Sequence, residues 1–370
     1  MDPREPAVAV FTDHGDPSKF VPFRRVVPSA GIGGPYLRAL RQAWRLWRGA
    51  QRFPGVAALV TYGSTTGFAL AALQCLARPW REPRTHYMFD LLLDKRRAGL
   101  PGWYDRLKAA AFRGGGTCAV LWGAGDPDTF AAGHGLPRER LQFHPYHMTL
   151  EGFTWEERDG GYIFAGGDSG RDYATVIAAL GGLGYPVFIA TTNPAIPPLA
   201  AAHPQITVRG VTPAEFRQKL AGCTFLVEAH PADFPRTAGH QTLLNAMAMG
   251  KAVVLADRGS SWGYLDDGVE GLVVPAGDVA GLRQAAARLL ADPQVRAGMG
   301  AAGRRRLQDP IYTTAVHMQS IYNLALRREQ ARIAPGRPPV LIELYAPATD
   351  ARAYEARSAH GNPPGAARER

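Results

Sequence analysis

A glycine-rich segment at residues 166–173, with the sequence GGDSGRDY, has residue types that suit an anionic ligand. It follows a short apolar run and precedes a stretch with apolar side chains at helical spacing. Glycines let the backbone approach a ligand closely, and a helix that begins here presents N–H groups and the positive end of its dipole. Arg171 adds a fixed charge with a planar fork of donors that fits phosphate oxygens. We therefore predict a diphosphate-binding turn that includes Gly166, Gly167, Ser169 and Arg171.

The spacing in this segment is neither that of a P-loop nor the GxGxxG of a dinucleotide fold. The alternative is an ordinary tight turn in which Arg171 pairs with a surface carboxylate. Asp168 and Asp172 could bind Mg²⁺, but beside Arg171 we expect them to pair with it or to cap the helix. No cluster of acidic and histidine residues at these loops has metal-ligand spacing. The sequence therefore predicts neither a metal nor another cofactor.

A second turn precedes a predicted helix at residues 241–249. Backbone N–H groups of Gly239, His240, Gln241 and Thr242 could hold a phosphate there, with the Thr242 hydroxyl as a further donor. Asn245 follows one helical turn later and could reach a ribose hydroxyl. These residues are the second part of the predicted ligand site.

Asp90 is the acidic residue that we assign to the chemistry in the first half of the chain. It follows a predicted strand at residues 85–89, and catalytic groups of α/β folds gather at such carboxyl ends. We predict that Asp90 acts as a base or orients the acceptor. The alternative is a helix cap or an ion pair with Lys95 or Arg96. His86 falls inside the strand, where we expect a core residue.

The elements that must position these residues follow an α/β pattern in both halves. Strands without alternation between apolar and polar side chains predict parallel sheets covered by helices on both faces. In the second half the predicted strands are 162–165, 186–190, 206–208, 224–227, 252–256 and 271–274, and the predicted helices are 173–181, 213–221, 241–249 and 279–290. In the first half the predicted strands are 56–60, 85–89, 118–122 and 141–143, and the predicted helices are 36–52, 65–76 and 105–112.

Three segments of the second half carry a resemblance to a known family. They are LNAMAMGKAVV at 244–254, DGVEGLVVPAGD at 267–278 and DPQVRAGM at 292–299. With these segments, residues 166–306 resemble the donor-binding half of glycosyltransferase family 4. The resemblance implies the GT-B architecture, in which two Rossmann-like doubly wound domains face each other across a cleft. It also implies a retaining, metal-independent transfer from a nucleotide-diphosphate sugar.

The resemblance assigns further site residues and exposes two departures. Gly33 and Gly34 match a glycine-rich turn near the N-terminus of the family, where donor phosphates or acceptor approach. Family members usually carry two glutamates where this chain has Thr237 and Asn245. Asn245 can still contact the ribose, whereas Thr237 supplies no carboxylate beside the donor sugar. The lysine that often meets the diphosphate corresponds to Arg171.

The resemblance also sets the predicted domain boundaries. We expect an acceptor-side Rossmann-like domain at residues 1–152 and a nucleotide-sugar-binding domain at 153–308. A helix at 309–332 is expected to pack back toward the first domain. The proline-containing tail at 333–370 is expected to be disordered.

The composition excludes several classes of protein. The chain has 370 residues, of which 46% are hydrophobic and 20% charged, so a core forms without disulfide or metal support. No apolar run is long enough to span a bilayer, and the N-terminus lacks an export signal. Three cysteines without a CxxC motif indicate a reducing compartment. We therefore expect a cytoplasmic protein.

Basic charge is concentrated in the first 150 residues, where 20 Lys and Arg face 11 Asp and Glu. In the predicted helix 36–52, the apolar side chains Leu37, Leu40, Trp44 and Trp47 lie beside a stripe of five arginines. Such a helix suits an anionic membrane interface, although the apolar stripe could equally be its core face. Nucleic acid is a weaker alternative, because no nucleic-acid-binding signature is present.

Together these features predict a glycosyltransferase that moves a hexose from a UDP- or GDP-sugar to a hydroxyl. The expected acceptor is a lipid-linked or surface-polysaccharide glycan at the inner face of the plasma membrane. Two alternatives stay open at this point. The first is a catalytically impaired chain that serves as a scaffold or binding partner, and the second is a sugar transferase that modifies DNA.

Overall fold

The computed structural model describes residues 8–13, 24–26, 34–89, 91, 102–232, 238–257, 263–333 and 335. Gly33, Asp90 and Thr237 lie outside the described residues. The chain divides into two compact units. One contains the described residues up to His144 together with those from Ala315 onward, and the other is Pro145–Thr314.

The N-terminal unit contains a parallel sheet of six described strands. Its strands are β1 (Val8–Thr12), β2 (Arg24–Val26), β3 (Val56–Tyr62), β4 (His86–Phe89), β5 (Thr117–Leu121) and β6 (Leu141–Phe143), in the order β2-β1-β3-β4-β5-β6. Its helices are α1 (Pro35–Arg52), α2 (Ser64–Ala77), α3 (Gly102–Gly114) and α4 (Asp126–His134), with a short 3₁₀ turn at Arg138–Arg140. Strands β4 and β5 are buried along their whole length, as expected of a sheet covered on both faces.

Helix α1 packs on this sheet through small residues. Ala39, Ala43, Leu46 and Ala50 are buried, and the last three join the core cluster around Phe11. Small side chains allow the helix axis to lie close to the strands. The interpretation of the apolar stripe as the core face is therefore wrong for Leu37, Leu40 and Trp44, whose side chains are 45%, 57% and 46% exposed. It holds for Trp47, which is half-buried and packs against this core.

The C-terminal unit contains a second parallel sheet of six described strands. Its strands are β7 (Ile163–Gly166), β8 (Val187–Ala190), β9 (Ile206–Arg209), β10 (Phe225–Ala229), β11 (Val253–Asp257) and β12 (Gly271–Pro275), in the order β12-β11-β10-β7-β8-β9. Its helices are α5 (Tyr173–Leu180), α6 (Ile196–Ala200), α7 (Pro213–Gly222), α8 (His240–Ala248), α9 (Val279–Ala291) and α10 (Pro293–Arg306), followed by a 3₁₀ turn at Pro310–Tyr312. The first strand in sequence, β7, pairs with β8 on one side and β10 on the other, so the strand order reverses between β7 and β10.

Both faces of the second sheet are covered. On one face Ile163, Ile189 and Val227 join a buried cluster with α5, α6 and α9. On the other, Phe164 stacks on Phe188 and meets the Phe216 ring of α7 edge to face. The two Rossmann-like halves predicted from the sequence are confirmed by these two parallel sheets.

The last described helix, α11 (Thr314–Ile333), belongs almost entirely to the N-terminal unit. Ile321, Tyr322 and Leu326 pack against the strands of the first sheet. Glu329 is buried, accepts the Thr85 N–H at 2.8 Å, and pairs with arginines on both sides. Burial raises the pKa of Glu329, but hydrogen bonds from Arg332 and Thr85 outweigh it and keep the pKa below its ordinary value.

Several strands and helices are not predicted by the periodicity of the sequence. Strands β1 and β2 and helices α4, α6 and α10 have no counterpart among the predicted elements. Helix α10 illustrates the cause, because it begins with a proline and contains three glycines. A Cβ on Gly300 would overlap the carbonyl oxygen of Gly250, and one on Gly303 would crowd Met247 of α8. These glycines therefore serve close packing between helices, which outweighs their low helix propensity.

Candidate nucleotide-binding site

The loops that follow β7 and β10 meet at the point where the strand order of the second sheet reverses. Ligands of open α/β sheets bind at this position, outside the carboxyl ends of the strands. The loop after β7 is the glycine turn, Gly166 to Asp172, and leads into α5. The chain after β10 leads to Gly239 and α8. The topology thus brings together the two turns that the sequence singles out.

The glycine turn is organised around the side chain of Arg171. Its Nε donates to the carbonyl oxygen of Gly166 at 2.9 Å, and its Nη1 donates to that of Ser169 at 3.0 Å. The same Nη1 lies 3.7 Å from Glu228 Oε1, and the arginine side chain is only 7% exposed. Arg171 therefore pairs with a buried carboxylate rather than the surface carboxylate considered above. Its direct contact with a diphosphate stays a prediction.

Two other side chains contact two further carbonyl groups of the turn. Tyr173 Oη donates to the Gly167 carbonyl at 2.5 Å, and His230 Nδ1 lies 2.7 Å from the Gly170 carbonyl. Burial raises the pKa of Tyr173, so its hydroxyl stays a donor. Four carbonyl oxygens of the turn, those of Gly166, Gly167, Ser169 and Gly170, are thus engaged by side chains of the protein itself.

The first two glycines of the turn make room for the protein's own side chains. A Cβ on Gly166 would lie 2.5 Å from the Phe216 ring, and one on Gly167 would lie 2.8 Å from the Arg171 guanidinium. Gly167 also has a φ of 113°, which favours glycine. That these glycines also let the protein backbone approach a ligand closely stays a prediction.

The two aspartates of the turn have structural partners. Asp172 caps α5 by accepting the Thr175 N–H at 3.0 Å, as expected. Asp168 accepts hydrogen bonds from the hydroxyls of Thr191 and Thr192 and from the Thr192 N–H. Burial raises the pKa of Asp168, but these bonds and Arg171 more than offset it and lower the pKa. Among the described residues, no group of three or more acidic, histidine or cysteine side chains is arranged to hold a metal ion.

The start of α8 lies directly above Glu228. Gly239, which precedes the helix, has a φ of 87°, and a Cβ there would overlap Glu228 Oε1. His240 is buried, with its ring 4.7 Å from that of Tyr264 and 6.5 Å from that of Tyr146. The turn whose backbone N–H groups are predicted to bind phosphate therefore begins at a position where only glycine fits.

The polar side chains further along α8 contact the segment that enters the C-terminal unit. Asn245 Oδ1 accepts the Thr149 N–H at 2.9 Å, and its Nδ2 donates to Thr149 Oγ1 at 3.1 Å. Gln241 Nε2 donates to the same hydroxyl at 2.6 Å. Thr242 is buried in the first turn of the helix. The amide of Asn245 is thus engaged at both ends, and its contact with a ribose stays a prediction.

Glu228 and His230 are site residues that the sequence analysis missed. Glu228 is 3% exposed, and its Oε1 lies 2.8 Å from His230 Nε2. The sequence feature that could have revealed Glu228 is a charged residue inside the otherwise apolar strand Phe225–Ala229. A buried carboxylate in such a strand needs partners, and here they come from both loops at the reversal point.

The carboxyl edge of the first sheet has a different character. It carries an aromatic edge, a row of five rings in which the centroids of successive rings lie 5.0 to 5.7 Å apart. In order along the row, these rings are Tyr62, Phe89, Trp122, His317 and His144. Tyr62 and Trp122 are partly exposed. Gly34, the described member of the predicted N-terminal turn, precedes α1 and is exposed.

Two titratable groups of the first sheet have shifted pKa values, Asp13 beside this edge and His86 at the opposite, amino end of β4. Asp13 follows β1 and accepts the Tyr62 N–H at 2.7 Å. Burial raises its pKa to about 6, against the lowering effect of its hydrogen bonds. His86 is buried between the hydroxyls of Thr61 and Thr117, at 2.8 and 2.9 Å, as expected of a core residue. Burial lowers the pKa of His86 to about 3, so it is neutral.

Comparison with known proteins agrees with this architecture. Residues 187–292 match the family described as Glycosyl transferases group 1. A sequence search among curated proteins gives no match.

Among solved structures, the chain is similar to sucrose-phosphate synthase from Thermosynechococcus elongatus, with a TM-score of 0.63 at 15% identity over 86% of this chain and 88% of that one. It is similar to HepE from Anabaena in complex with UDP, with a TM-score of 0.62 at 12% identity over 86% and 99% of the two chains. WaaG, a glycosyltransferase involved in lipopolysaccharide biosynthesis, gives 0.54 at 14% identity over 86% and 91%. The fold is that of GT-B glycosyltransferases, and the family match supports a glycosyltransferase of this type.

Proposed function

We propose that the protein is a retaining glycosyltransferase that moves a hexose from a UDP- or GDP-sugar to a hydroxyl of an acceptor. The acceptor is a lipid-linked or surface-polysaccharide glycan, and the reaction takes place at the cytoplasmic face of a membrane. Retention and the family 4 assignment come from the motif resemblance of residues 244–254, 267–278 and 292–299.

One observation supports the assignment of a nucleotide sugar as the donor. The glycine turn lies at the reversal point of the second sheet, with its carbonyl oxygens engaged from within by Arg171, Tyr173 and His230. A turn whose carbonyls are engaged in this way does not repel an anion, and α5 and α8 both begin beside it. The three similar structures of HepE are complexes with UDP, with UDP and glucose, and with UDP-glucose.

The proposed chemistry follows from where charge develops. Transfer from a nucleotide sugar passes through an oxocarbenium-like state while negative charge builds on the leaving diphosphate. Fixed dipoles and donors that face the developing charge are the largest source of rate enhancement in such sites. The helix N-termini of α5 and α8, together with the Arg171 charge, supply this stabilisation in our proposal. No metal is then needed for the leaving group.

Action at a membrane rests on the surface of α1. Leu37, Leu40 and Trp44 are exposed beside a stripe of exposed arginines. The arginines are Arg38, Arg41, Arg45, Arg48 and Arg52. An exposed apolar stripe flanked by basic charge fits the interface of an anionic bilayer, where each basic residue contributes about 1 kcal/mol. Within the described part of the chain, no helix is both long and apolar enough to cross a membrane.

Vesicle sedimentation tests the membrane proposal. The protein should bind phosphatidylglycerol vesicles and not phosphatidylcholine vesicles. Arg41→Glu with Arg45→Glu should weaken that binding at least about tenfold. The matched control, Arg288→Glu with Arg305→Glu, makes the same charge change at exposed positions of α9 and α10. Equal loss in both pairs would assign the binding to net charge rather than to α1.

Calorimetry with UDP and GDP, followed by transfer assays, tests the enzymatic proposal. We expect micromolar to millimolar binding of one nucleotide, and release of it from the matching nucleotide sugar when a lipid or polysaccharide fraction is added. Proton NMR of the product should show the anomeric configuration of the donor. A wild-type protein that binds neither nucleotide contradicts the proposal.

A catalytically impaired binding protein is the second candidate, and a specific observation favours it. The Asn245 amide is engaged by Thr149, and Thr237 supplies no carboxylate. Binding of a nucleotide sugar without release of the nucleotide, with every acceptor fraction tried, is the result that this candidate predicts.

A further inference from the structure

Glu228 connects the loops that meet at the reversal point. Its Oε1 lies 3.7 Å from Arg171 Nη1 and 2.8 Å from His230 Nε2. The same oxygen lies where a Cβ of Gly239 would be. One carboxylate oxygen therefore touches the glycine turn, the end of β10 and the entrance to α8.

The partners of Glu228 are the same side chains that hold the turn. Arg171 donates to the carbonyl oxygens of Gly166 and Ser169. His230 presents Nδ1 to the Gly170 carbonyl, which can only accept, so this nitrogen carries a proton. Its other nitrogen faces the carboxylate. The position of Glu228 thus fixes the orientation of both donors.

We propose that Glu228 is a positioning residue for diphosphate binding. It holds Arg171 and His230 behind the glycine turn, so that the carbonyl oxygens of Gly166, Ser169 and Gly170 stay turned away from the anion. This inference rests on the proposed function, because it assigns the diphosphate of the donor to that turn. It also gives the site a carboxylate on β10 in a chain whose sequence lacks one at Thr237.

A purely stabilising role fits the surroundings of Glu228 poorly. Its second oxygen, Oε2, is buried and accepts no hydrogen bond within the described part of the chain. A buried carboxylate with one unpaired oxygen costs free energy, and an apolar residue of similar size would fit an apolar strand without that cost. The neighbouring strand residues Leu226 and Val227 are fully buried and apolar.

Calorimetry with two probes, UDP and uridine, tests this inference on the full chain, with GDP and guanosine if the wild type prefers them. Glu228→Gln, which is nearly isosteric, should weaken UDP binding roughly tenfold, the scale of a lost charge-assisted contact, and leave uridine binding unchanged. The matched control is Glu215→Gln, which removes a carboxylate paired with Arg209 away from the turn. The control should bind both probes as the wild type does.

Three outcomes decide the matter. Selective loss of UDP binding supports the inference. Unchanged UDP binding, or equal loss of UDP and uridine binding with a lowered melting temperature, overturns it while the proposed function stands. A wild type that binds neither nucleotide overturns the proposed function itself and this inference with it.

His230→Phe provides a second variant in case Glu228→Gln does not fold. It replaces the ring nitrogens that link Glu228 to the Gly170 carbonyl with carbon at similar volume. The inference predicts the same selective loss of UDP binding. Retention of the wild-type affinity for UDP would overturn it.

Discussion

The carboxyl edges of the two sheets, each considered within its own unit, differ in chemistry. The edge of the second sheet is built from glycines and buried charged groups, with Arg171, Glu228 and His230 behind a turn whose carbonyl oxygens are engaged. The edge of the first sheet is built from aromatic and histidine rings in contact, including the partly exposed Tyr62 and Trp122. Fixed donors suit a diphosphate, whereas aromatic faces suit the apolar face of a sugar or a lipid. In the proposed function, we assign donor recognition to the edge of the second sheet and acceptor recognition to the edge of the first.

The largest expected effect comes from removing the glycine that Glu228 requires. Gly239→Ala should weaken UDP binding about a hundredfold, because the new Cβ overlaps Glu228 and the φ of 87° is strained for alanine. Gly182→Ala is the matched control, since a Cβ there meets nothing within 4 Å. Calorimetry measures both. Wild-type affinity in Gly239→Ala would remove the start of α8 from the donor site.

Replacement of Arg171 tests the charged edge next. Arg171→Ala should reduce donor turnover by about 1 to 3 kcal/mol, and Arg171→Lys should restore little, because lysine lacks the planar fork that reaches two carbonyls. Steady-state kinetics with the preferred donor gives the measurement. Full activity in Arg171→Lys would show that the charge alone is needed.

The aromatic edge should respond in the opposite way. Trp122→Leu should leave UDP affinity unchanged and lower kcat/KM for the acceptor roughly tenfold, because one partly exposed aromatic face is lost. The measurement pairs calorimetry with acceptor kinetics. A loss of UDP affinity in this variant would contradict the separation of donor and acceptor recognition.

Asp13 gives an effect of another kind, a dependence of stability on pH rather than a change in binding or turnover. Its folded-state pKa of about 6 lies above the ordinary 3.8, so its contribution to stability is complete below about pH 4 and is lost as the pH rises through 6. Asp13→Asn should remove this loss and raise the free energy of unfolding at pH 7 by about 3 kcal/mol. Urea titrations at pH 4 and pH 7 measure it, with the exposed Asp128→Asn as control.

The sequence predicted the two parallel sheets well, because buried strands such as β7 and β8 are continuous apolar runs. It predicted α8 and its neighbours through a motif. It missed β1, β2, α4, α6 and α10, where proline, glycine or short length weakens the periodic signal. It also missed the function of Gly166, whose missing Cβ makes room for Phe216 across the sheet edge.

At the candidate site, the partners of the predicted residues could not be predicted from the sequence. Arg171 and Asn245 could be singled out by residue type, but their partners Glu228 and Thr149 are 57 and 96 positions away in the chain. Long-range pairing of this kind leaves no local pattern. Within the strand Phe225–Ala229, the lone glutamate was the only sequence feature that indicated such a pairing.

A crystal structure of the protein with UDP, or with GDP if that nucleotide binds more tightly, tests the central claim most directly. We expect the diphosphate to lie against the N–H groups of the glycine turn and the first turn of α8, with the carbonyl oxygens of Gly166 and Gly170 still bonded to Arg171 and His230. A nucleotide bound at another place, or a diphosphate that faces those carbonyls, would contradict the claim.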